Sequence, residues 1–307
     1  MDDNQNTDLD KPISEILEVF RRFDGIYQRE AVDAAIARKE EITPYLMTIL
    51  ENVLADPKQY ADDQDLQDHI YAVMLLGHFR EQRAHRLIID TFSLPDDLTH
   101  DLFGDISTEN LPMLLINTCG GFLEDIKSMV LNKSADDYCR VSAAQALAYA
   151  VVKGYADRKE VVAFFGTLFA GNEAGEDSDF WGLLAATILD LYPAEIIGVL
   201  QKGYEDGLIF PGIIDYESFE EALEMGEARC LERLRIDYEY NNSLDDLHKA
   251  MSWWACFHHD DDDDDAFGPV DMDSPVPPAM GKSRQEKAKA KKKRKQAKAS
   301  RKKNRRR

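Results

Sequence analysis

The amino-acid sequence predicts an all-α fold of the HEAT-like helical-hairpin repeat type, an α-solenoid, with a disordered basic C-terminal tail. Apolar residues recur every three or four positions, which is the period of one helix face. Proline, glycine and acidic residues interrupt these apolar stretches at near-regular intervals, as turns between short helices do. Residues 282–307 contain no large apolar side chain, so they cannot bury enough surface to fold.

The first helix is expected to begin at Pro12, a residue that suits the first helical position. Ile13, Ile16 and Phe20 then lie on one face of a helix. Thr43 is expected to cap the second helix of the first pair, with Pro44 opening it. The predicted helix pairs are residues 29–39 with 43–55, 66–79 with 82–92, 109–119 with 122–131, 136–152 with 158–169, and 180–191 with 194–205.

The first helices of successive pairs end near Gly77, Gly120, Gly154 and Tyr192, at spacings of 43, 34 and 38 residues. These spacings are typical of helical-hairpin solenoids. Residues 140–147 resemble the first helix of a HEAT-type repeat, in which small side chains let the paired helix approach closely. An irregular all-α domain is the alternative.

Beyond the last pair, residues 209–214 are interpreted as an apolar connector, because Pro211 and Gly212 interrupt any strand. Residues 216–234 and 243–257 are expected to be helical, the second starting with a capping box at Ser243 and Asp246. The predicted organisation is a disordered N-terminus at 1–10, an all-α repeat domain at 11–257, an acidic and proline-rich linker at 258–281 and the disordered tail at 282–307.

The net charge of −21 conceals a strong asymmetry. The tail holds sixteen of the 37 basic residues and one of the 58 acidic residues, so the rest of the chain has 21 basic and 57 acidic residues. Such an acidic body repels nucleic acid and anionic membranes at long range, whereas the tail attracts both.

The tail is the predicted site of contact with nucleic acid or the ribosome. It lacks aromatic side chains that stack on bases, so its binding would be directed at phosphates and sensitive to salt. The alternatives are autoinhibitory pairing with the acidic body, association with a membrane surface, and a tail that serves solubility or, in a eukaryotic cell, nuclear import. The candidate residues are Lys289, Lys291, Lys292, Lys293, Arg294, Lys295, Arg301, Lys302, Lys303, Arg305, Arg306 and Arg307.

Three segments carry a family resemblance: residues 12–18 (PISEILE), 71–77 (YAVMLLG) and 137–144 (DYCRVSAA). With them, the region 12–257 resembles a bacterial family known as domain-of-unknown-function family 1186. The resemblance implies a helical, repeat-like fold in a bacterial cytosol and supplies no activity. Family members often end in a short cysteine-rich zinc module; this chain has a lysine- and arginine-rich run there, so no metal-dependent role carries over.

Cys119, Cys139, Cys230 and Cys256 stand far apart and form no CxxC pair, which favours buried free thiols in a reducing compartment. The first ten residues lack the apolar stretch of a secretory signal, and no run is long enough to span a bilayer. A cytoplasmic location is therefore expected.

Trp253 and Trp254 are expected to cap the last hydrophobic layer; the competing interpretation makes them the candidate partner-binding residues. No metal site is expected; His258, His259 and Asp260 come closest to a ligand pattern, but six adjacent aspartates are more typical of a solvated linker. His69, His78 and His85 are expected in surface or capping roles.

No nucleotide-binding, metalloprotease or nucleophile-elbow motif is present, and no cofactor is expected. The sequence therefore favours an interaction or scaffold protein, with a helical surface for a protein partner and a basic tail for a polyanion. The alternative is an enzyme or small-ligand binder, with a site in the concave groove around residues 136–152 and 180–191. The oligomeric state and the partner's identity stay open.

Overall fold

Helices make up the ordered secondary structure of this protein. The computed structural model describes residues 12–257 except 64, 96, 170, 171, 176 and 242. Within this part of the chain there are seventeen α-helices, four short 3-10 helices and two isolated β-bridges, but no strand. The expected all-α class is confirmed. The described residues belong to the first of two units of the chain, residues 1–259.

The N-terminal half contains eight of the helices. They are α1 (Ile13–Arg21), α2 (Arg29–Ala37), α3 (Lys39–Ala55), α4 (Pro57–Asp62), α5 (Asp68–His78), α6 (His85–Thr91), α7 (Leu98–Phe103) and α8 (Ile106–Glu109).

The remaining helices follow from residue 111 onward. They are α9 (Leu111–Thr118), α10 (Glu124–Leu131), α11 (Asp137–Val152), α12 (Arg158–Leu168), α13 (Phe180–Leu189), α14 (Ile197–Glu205), α15 (Glu217–Met225), α16 (Glu227–Asn241) and α17 (Leu247–Met251). The 3-10 helices are Gln82–Ala84, Ala194–Ile196, Ser243–Asp245 and Ala255–Phe257.

Aspartates begin several helices, because a carboxylate satisfies backbone N–H groups that the first turn leaves free. Asp136 accepts hydrogen bonds from the N–H groups of residues 138 and 139, and Asp157 from those of 159 and 160. Asp246 caps α17 by accepting from the N–H of residue 249. The α17 cap is thus Asp246, not Ser243 as expected, since residues 243–245 form a separate 3-10 turn.

The start of α3 also differs from the expectation. The helix begins at Lys39 and continues through Pro44, because the break after α2 is confined to Arg38. Thr43 caps nothing; its hydroxyl donates back to the Lys39 carbonyl at 2.7 Å, inside the helix.

The core follows a row of helices packed side by side. α3 packs against α5, α5 against α9, α9 against α11, and α11 against α13. Helices α6 and α10 pack on the same row from one side. Every residue of α9, Leu111–Thr118, is buried, because neighbours cover this helix on all faces. This packing order supports the expectation of stacked hairpins, and the HEAT-like geometry itself stays a prediction.

Glycine allows one of the closest approaches within the row. A Cβ at Gly77 in α5 would lie 2.4 Å from a methyl carbon of Leu114 in α9 and 3.1 Å from one of Leu244. The side chains of both leucines therefore pack against backbone that only glycine leaves open.

The chain from α16 to the last 3-10 helix, residues 227–257, is here named the C-terminal segment; it returns along this row. Tyr149 of α11 donates to Asp237 of α16 at 2.7 Å. Further along, His78 of α5 donates from Nδ1 to the Leu244 carbonyl at 2.6 Å. Finally His248 of α17 lies against the first helices of the chain. The segment thus runs from α11 back to the N-terminal helices.

Candidate binding cleft

The C-terminal segment is anchored to the N-terminal helices by a histidine and an aromatic cluster. His248 Nε2 lies 2.8 Å from the Asp33 carboxylate, and its Nδ1 lies 2.9 Å from the Tyr27 hydroxyl. The ring of Phe257 lies 5.5 Å from that of Tyr27, and Trp254 packs nearly parallel to Phe257. Trp254 is therefore held beside the start of the chain.

Trp254 packs against the hydrophobic core, which is compatible with the capping interpretation. Trp253 and Trp254 lie near the N-terminal helices, because the C-terminal segment doubles back instead of extending the helical row. Trp254 is partly buried, whereas 59% of the surface of Trp253 is exposed. Their assignment as partner-binding residues stays a prediction.

The two tryptophans form one wall of a cleft with a volume of about 450 Å³, within the usual size of ligand sites. Here it is named the Trp253 cleft, and it lies between residues 253–256, α4, the start of α5 and residues 101–110. Its apolar and aromatic lining includes Tyr60, Leu66, Ile70, Leu102, Phe103 and Ile106. Its acidic lining consists of Asp63, Asp101, Asp105 and Glu109. Among the described residues, no lysine or arginine lines it.

His69 is the buried polar residue of the cleft wall. Its Nε2 lies 2.8 Å from the Leu102 carbonyl, which can only accept, so Nε2 carries a proton. The rings of Tyr60 and Phe103 meet the imidazole edge-on at 5.4 and 5.2 Å. Burial lowers the pKa of His69 to about 4, so the ring is neutral at pH 7. Nδ1 therefore carries no proton and can only accept a hydrogen bond. Nδ1 has no hydrogen-bond partner among the described residues.

Asp68 precedes His69 and is also buried. Burial raises the pKa of Asp68 to about 6, with Arg21 acting in the opposite direction. Its Oδ1 atom finds no hydrogen-bond partner in the described part of the chain. Burial, with a smaller contribution from Asp68, also raises the pKa of Tyr60 to about 12. The Tyr60 hydroxyl is therefore protonated at the edge of the cleft.

Helix α16 lies over part of the groove in which the alternative interpretation placed an enzyme or small-ligand site. Tyr149 and Lys153 of α11 bond Asp237 and Tyr238 of that helix. A smaller pocket of about 120 Å³ remains where α13 ends, lined by residues that include Asp190 and Cys230. The alternative of a site in this groove stays a prediction, with α16 over one end of α11 and the smaller pocket at the end of α13.

Two ionisable groups of the smaller pocket are perturbed. Burial, and then repulsion from Asp237, raise the pKa of Asp190 to about 6. Burial also raises the pKa of the Cys230 thiol. A thiol is a poor nucleophile while it is protonated, so Cys230 is not activated for covalent catalysis.

The same holds for the other cysteines, all of which are free. Burial raises the pKa of the thiols of Cys119, Cys139 and Cys256. Cys119, Cys139 and Cys230 are buried as expected, whereas Cys256 is exposed and lines the Trp253 cleft.

Of the three histidines expected in surface or capping roles, His69 and His85 are buried. His69 packs in the cleft wall, and His85 is buried with its Nδ1 2.9 Å from the Thr118 hydroxyl. His78 is partly buried against Leu244. Helical periodicity shows which residues share a face of one helix. It does not show which of those faces are covered by neighbouring helices.

The remaining candidate residues lie outside the described part of the chain. These are His258, His259 and Asp260 and the twelve basic residues of the tail. Within the described residues, no group of three or more His, Cys, Asp or Glu side chains could hold a metal ion. None of the described helices is both long and apolar enough to cross a bilayer.

The fold and the cleft together define an all-α protein with an acidic, aromatic cleft, one wall of which is formed by the C-terminal segment. The chain belongs to the family described as "Protein of unknown function (DUF1186)", whose model matches residues 11–258. The family expected from the sequence is confirmed.

Two relatives come from Chlamydia, and both are described as uncharacterized proteins. The chain is 32% identical over 243 residues to the one from Chlamydia muridarum (strain MoPn / Nigg), covering 79% of this chain and 96% of the relative. It is 33% identical over 239 residues to the one from Chlamydia trachomatis serovar D, covering 77% and 95%. No solved structure matches the chain.

Proposed function

We propose that this chain is a non-enzymatic interaction protein of the cytoplasm, which binds a protein partner through the Trp253 cleft. The observation that supports this most is the exposed Trp253 beside an apolar floor and an acidic rim. Tryptophans surrounded by polar rims are typical of the residues that contribute most to protein–protein binding. The three buried free cysteines fit a reducing compartment.

The perturbed groups favour binding over catalysis. A covalent mechanism needs an activated nucleophile, and burial raises the pKa of all four thiols. The two carboxylic acids with raised pKa, Asp68 and Asp190, lie in different parts of the fold, so they do not form an acid–base pair. Helix α16 bonds Tyr149 and Lys153, at one end of the α11 face on which the alternative places a small-ligand site.

We further propose that the tail, residues 282–307, tethers the protein to RNA or to the ribosome. Its support is the sequence: sixteen basic side chains, one acidic side chain and no aromatic ring. Lysine and arginine neutralise phosphates without reading bases, so the contact would be independent of sequence.

The test of the cleft is capture of a partner by crosslinking in cells that express the full chain. Trp253→Ala should lose the partner and keep its melting temperature, because this side chain is 59% exposed. Phe122→Ala is the matched control, since Phe122 is an aromatic side chain that is 79% exposed and lies outside the cleft. Retention of the same partner by Trp253→Ala would contradict the proposal.

The test of the tail compares the full chain with a variant that ends at residue 281. We expect the full chain to bind single-stranded RNA with an affinity that falls steeply with salt, a log–log slope of about −7 if roughly ten phosphates are neutralised. Deletion should abolish this binding and leave helicity unchanged. RNA binding that survives the deletion would refute the tether, and binding to anionic vesicles alone would favour the membrane alternative.

A further inference from the structure

His69, a residue of the wall of the Trp253 cleft, has a buried ring nitrogen that lacks a hydrogen-bond donor. His69 is 3% exposed, and its Nε2 proton is used by the Leu102 carbonyl at 2.8 Å. Nδ1 therefore offers a lone pair, and none of the described residues donates to it. A buried acceptor without a donor costs free energy, so a ligand that supplies an N–H group would gain from this atom. Because Nδ1 lies beneath the lining surface, such a ligand must displace a covering side chain.

The charge of the cleft selects among donors. Its lining has four carboxylates, and within the described residues no lysine or arginine. Asp63 already pairs with Arg22 at 3.2 Å, whereas Asp101 and Asp105 are exposed at the mouth. Anions are repelled by such a rim, and a neutral amide can donate hydrogen bonds to it but lacks the attraction between opposite charges. A cationic donor satisfies both the acceptor and the carboxylates.

The rings of the cleft select among cations. Trp253, Trp254 and Tyr60 present flat faces or edges to the same space. Guanidinium is planar, stacks on aromatic rings and is less strongly hydrated than ammonium. It also carries five N–H groups, enough to donate to an imidazole and to a carboxylate at once.

We infer that the Trp253 cleft binds a guanidinium group, that of an arginine side chain in an extended segment of a partner protein. One N–H donates to His69 Nδ1, the carboxylates of Asp101 and Asp105 face the cation, and its plane packs on the tryptophans. The inference rests on the proposed function in that the arginine belongs to a protein partner.

The experiment records NMR spectra of the full chain labelled with ¹⁵N at tryptophan. The chain has three tryptophans and therefore gives three indole N–H signals. The probe is N-acetyl-arginine amide, and the matched controls are the citrulline and lysine derivatives, at about 0.15 M salt. Trp253 and Trp254 signals should shift with the arginine derivative. Trp181 should not respond, since its Nε1 donates to the Gly175 carbonyl at 3.0 Å inside the fold. Arginine should bind about tenfold more tightly than citrulline.

One pair of variants tests whether the carboxylates at the mouth of the cleft contribute to arginine binding. Asp101→Asn combined with Asp105→Asn should weaken arginine binding about fivefold, because both carboxylates are exposed and each contributes modestly. Glu220→Gln combined with Glu224→Gln removes the same charge from exposed positions of α15 and should change affinity less than about twofold.

A second pair of variants tests His69. His69→Gln keeps an amide that can donate to the Leu102 carbonyl and an oxygen that can accept, so it should bind nearly as wild type. His69→Phe removes the acceptor and should weaken binding at least about fivefold.

Equal shifts from citrulline or from the lysine derivative would overturn the guanidinium assignment, as would full affinity in the Asp101 and Asp105 double variant. Because that variant changes exposed residues only, its result stands even if His69→Phe fails to fold. Arginine selectivity without any captured partner would overturn the proposed function alone. Partner capture that depends on Trp253 but shows no arginine selectivity would overturn this inference alone.

Discussion

Arg140 supports the sharpest stability prediction. Its side chain is 1% exposed, and its guanidinium joins α11 to three other parts of the fold. Nε donates to the Val130 carbonyl at 2.9 Å, and Nη1 donates to the Asp137 carboxylate and the Glu173 carbonyl, each at 2.9 Å. The guanidinium also lies 4.1 Å from the centre of the Phe180 ring. It therefore connects α10, α11, the loop before α13, and α13 itself.

The cost of Arg140→Ala follows from the groups left behind. The Val130 and Glu173 carbonyl oxygens lose this donor, and the Asp137 carboxylate keeps the Ser178 hydroxyl but loses the cation. Removal of one partner from a buried ion pair costs about 3–5 kcal/mol. Because 35% of the Asp137 side chain is exposed, water can solvate part of the carboxylate that Arg140 leaves behind. We therefore expect the free energy of unfolding to fall by about 4 kcal/mol, the middle of that range. For a domain of this size each kcal/mol lowers the melting temperature by about 2–4 °C, so we expect a decrease of about 12 °C.

The assay is urea and thermal unfolding followed by far-ultraviolet circular dichroism. Arg86→Ala is the matched control, because Arg86 also bonds two carboxylates, of Asp90 and Asp125, but is 63% exposed. Exposed pairs contribute about 0–1 kcal/mol, so this control should melt close to wild type. Arg140→Lys should lie in between, since it keeps the charge but not the planar fork. A loss below about 1 kcal/mol for Arg140→Ala would refute the reasoning.

Three further predictions concern buried ionisable groups and the C-terminal segment. The pKa of His69 is lowered from 6.5 to about 4, so the unfolded chain takes up the proton first and stability is lost as pH falls from 6.5 to 4. His69→Gln does not titrate and should lose about 2–3 kcal/mol less between pH 7.5 and 4.5; parallel melting curves of the two proteins would contradict this. The pKa of Asp190 is raised from 3.8 to about 6, so its cost is absent at low pH and develops as pH rises through that interval. Asp190→Asn should therefore gain about 1–2 kcal/mol at pH 7.5 and nothing at pH 3.5, and an equal gain at both would refute the assignment. His248→Ala removes the contacts with Tyr27 and Asp33 and should lower local stability by about 1–2 kcal/mol. Hydrogen exchange should then quicken in residues 243–257 but not in 111–118, and unchanged protection of the former would rule out the anchoring role.

Much of the helical framework could be predicted from the sequence, because its signals are local. Asp136 caps α11 by bonds that span two or three residues. Apolar stripes likewise report a helix through contacts between residues three and four apart. The burial of three cysteines followed from the same stripes.

The start of α3 was misjudged for an equally local reason. Thr43 and Pro44 form a good helix start, but the same pair is tolerated inside a helix when the hydroxyl bonds the carbonyl four residues earlier. Which alternative wins depends on the helices packed around that turn, and this information lies elsewhere in the chain.

Sequence alone therefore determined the helical class, most helix positions and the asymmetry of charge, all of which depend on neighbours along the chain. Only the tertiary structure decided the path of the C-terminal segment, which places Trp253 beside Tyr60 and His69, more than 180 positions away. Such contacts leave no periodic signal, because they are set by the free energy of covering one apolar surface with another after the helices have formed. The Trp253 cleft exists because that covering brings an exposed tryptophan, a buried imidazole and a set of carboxylates to one place.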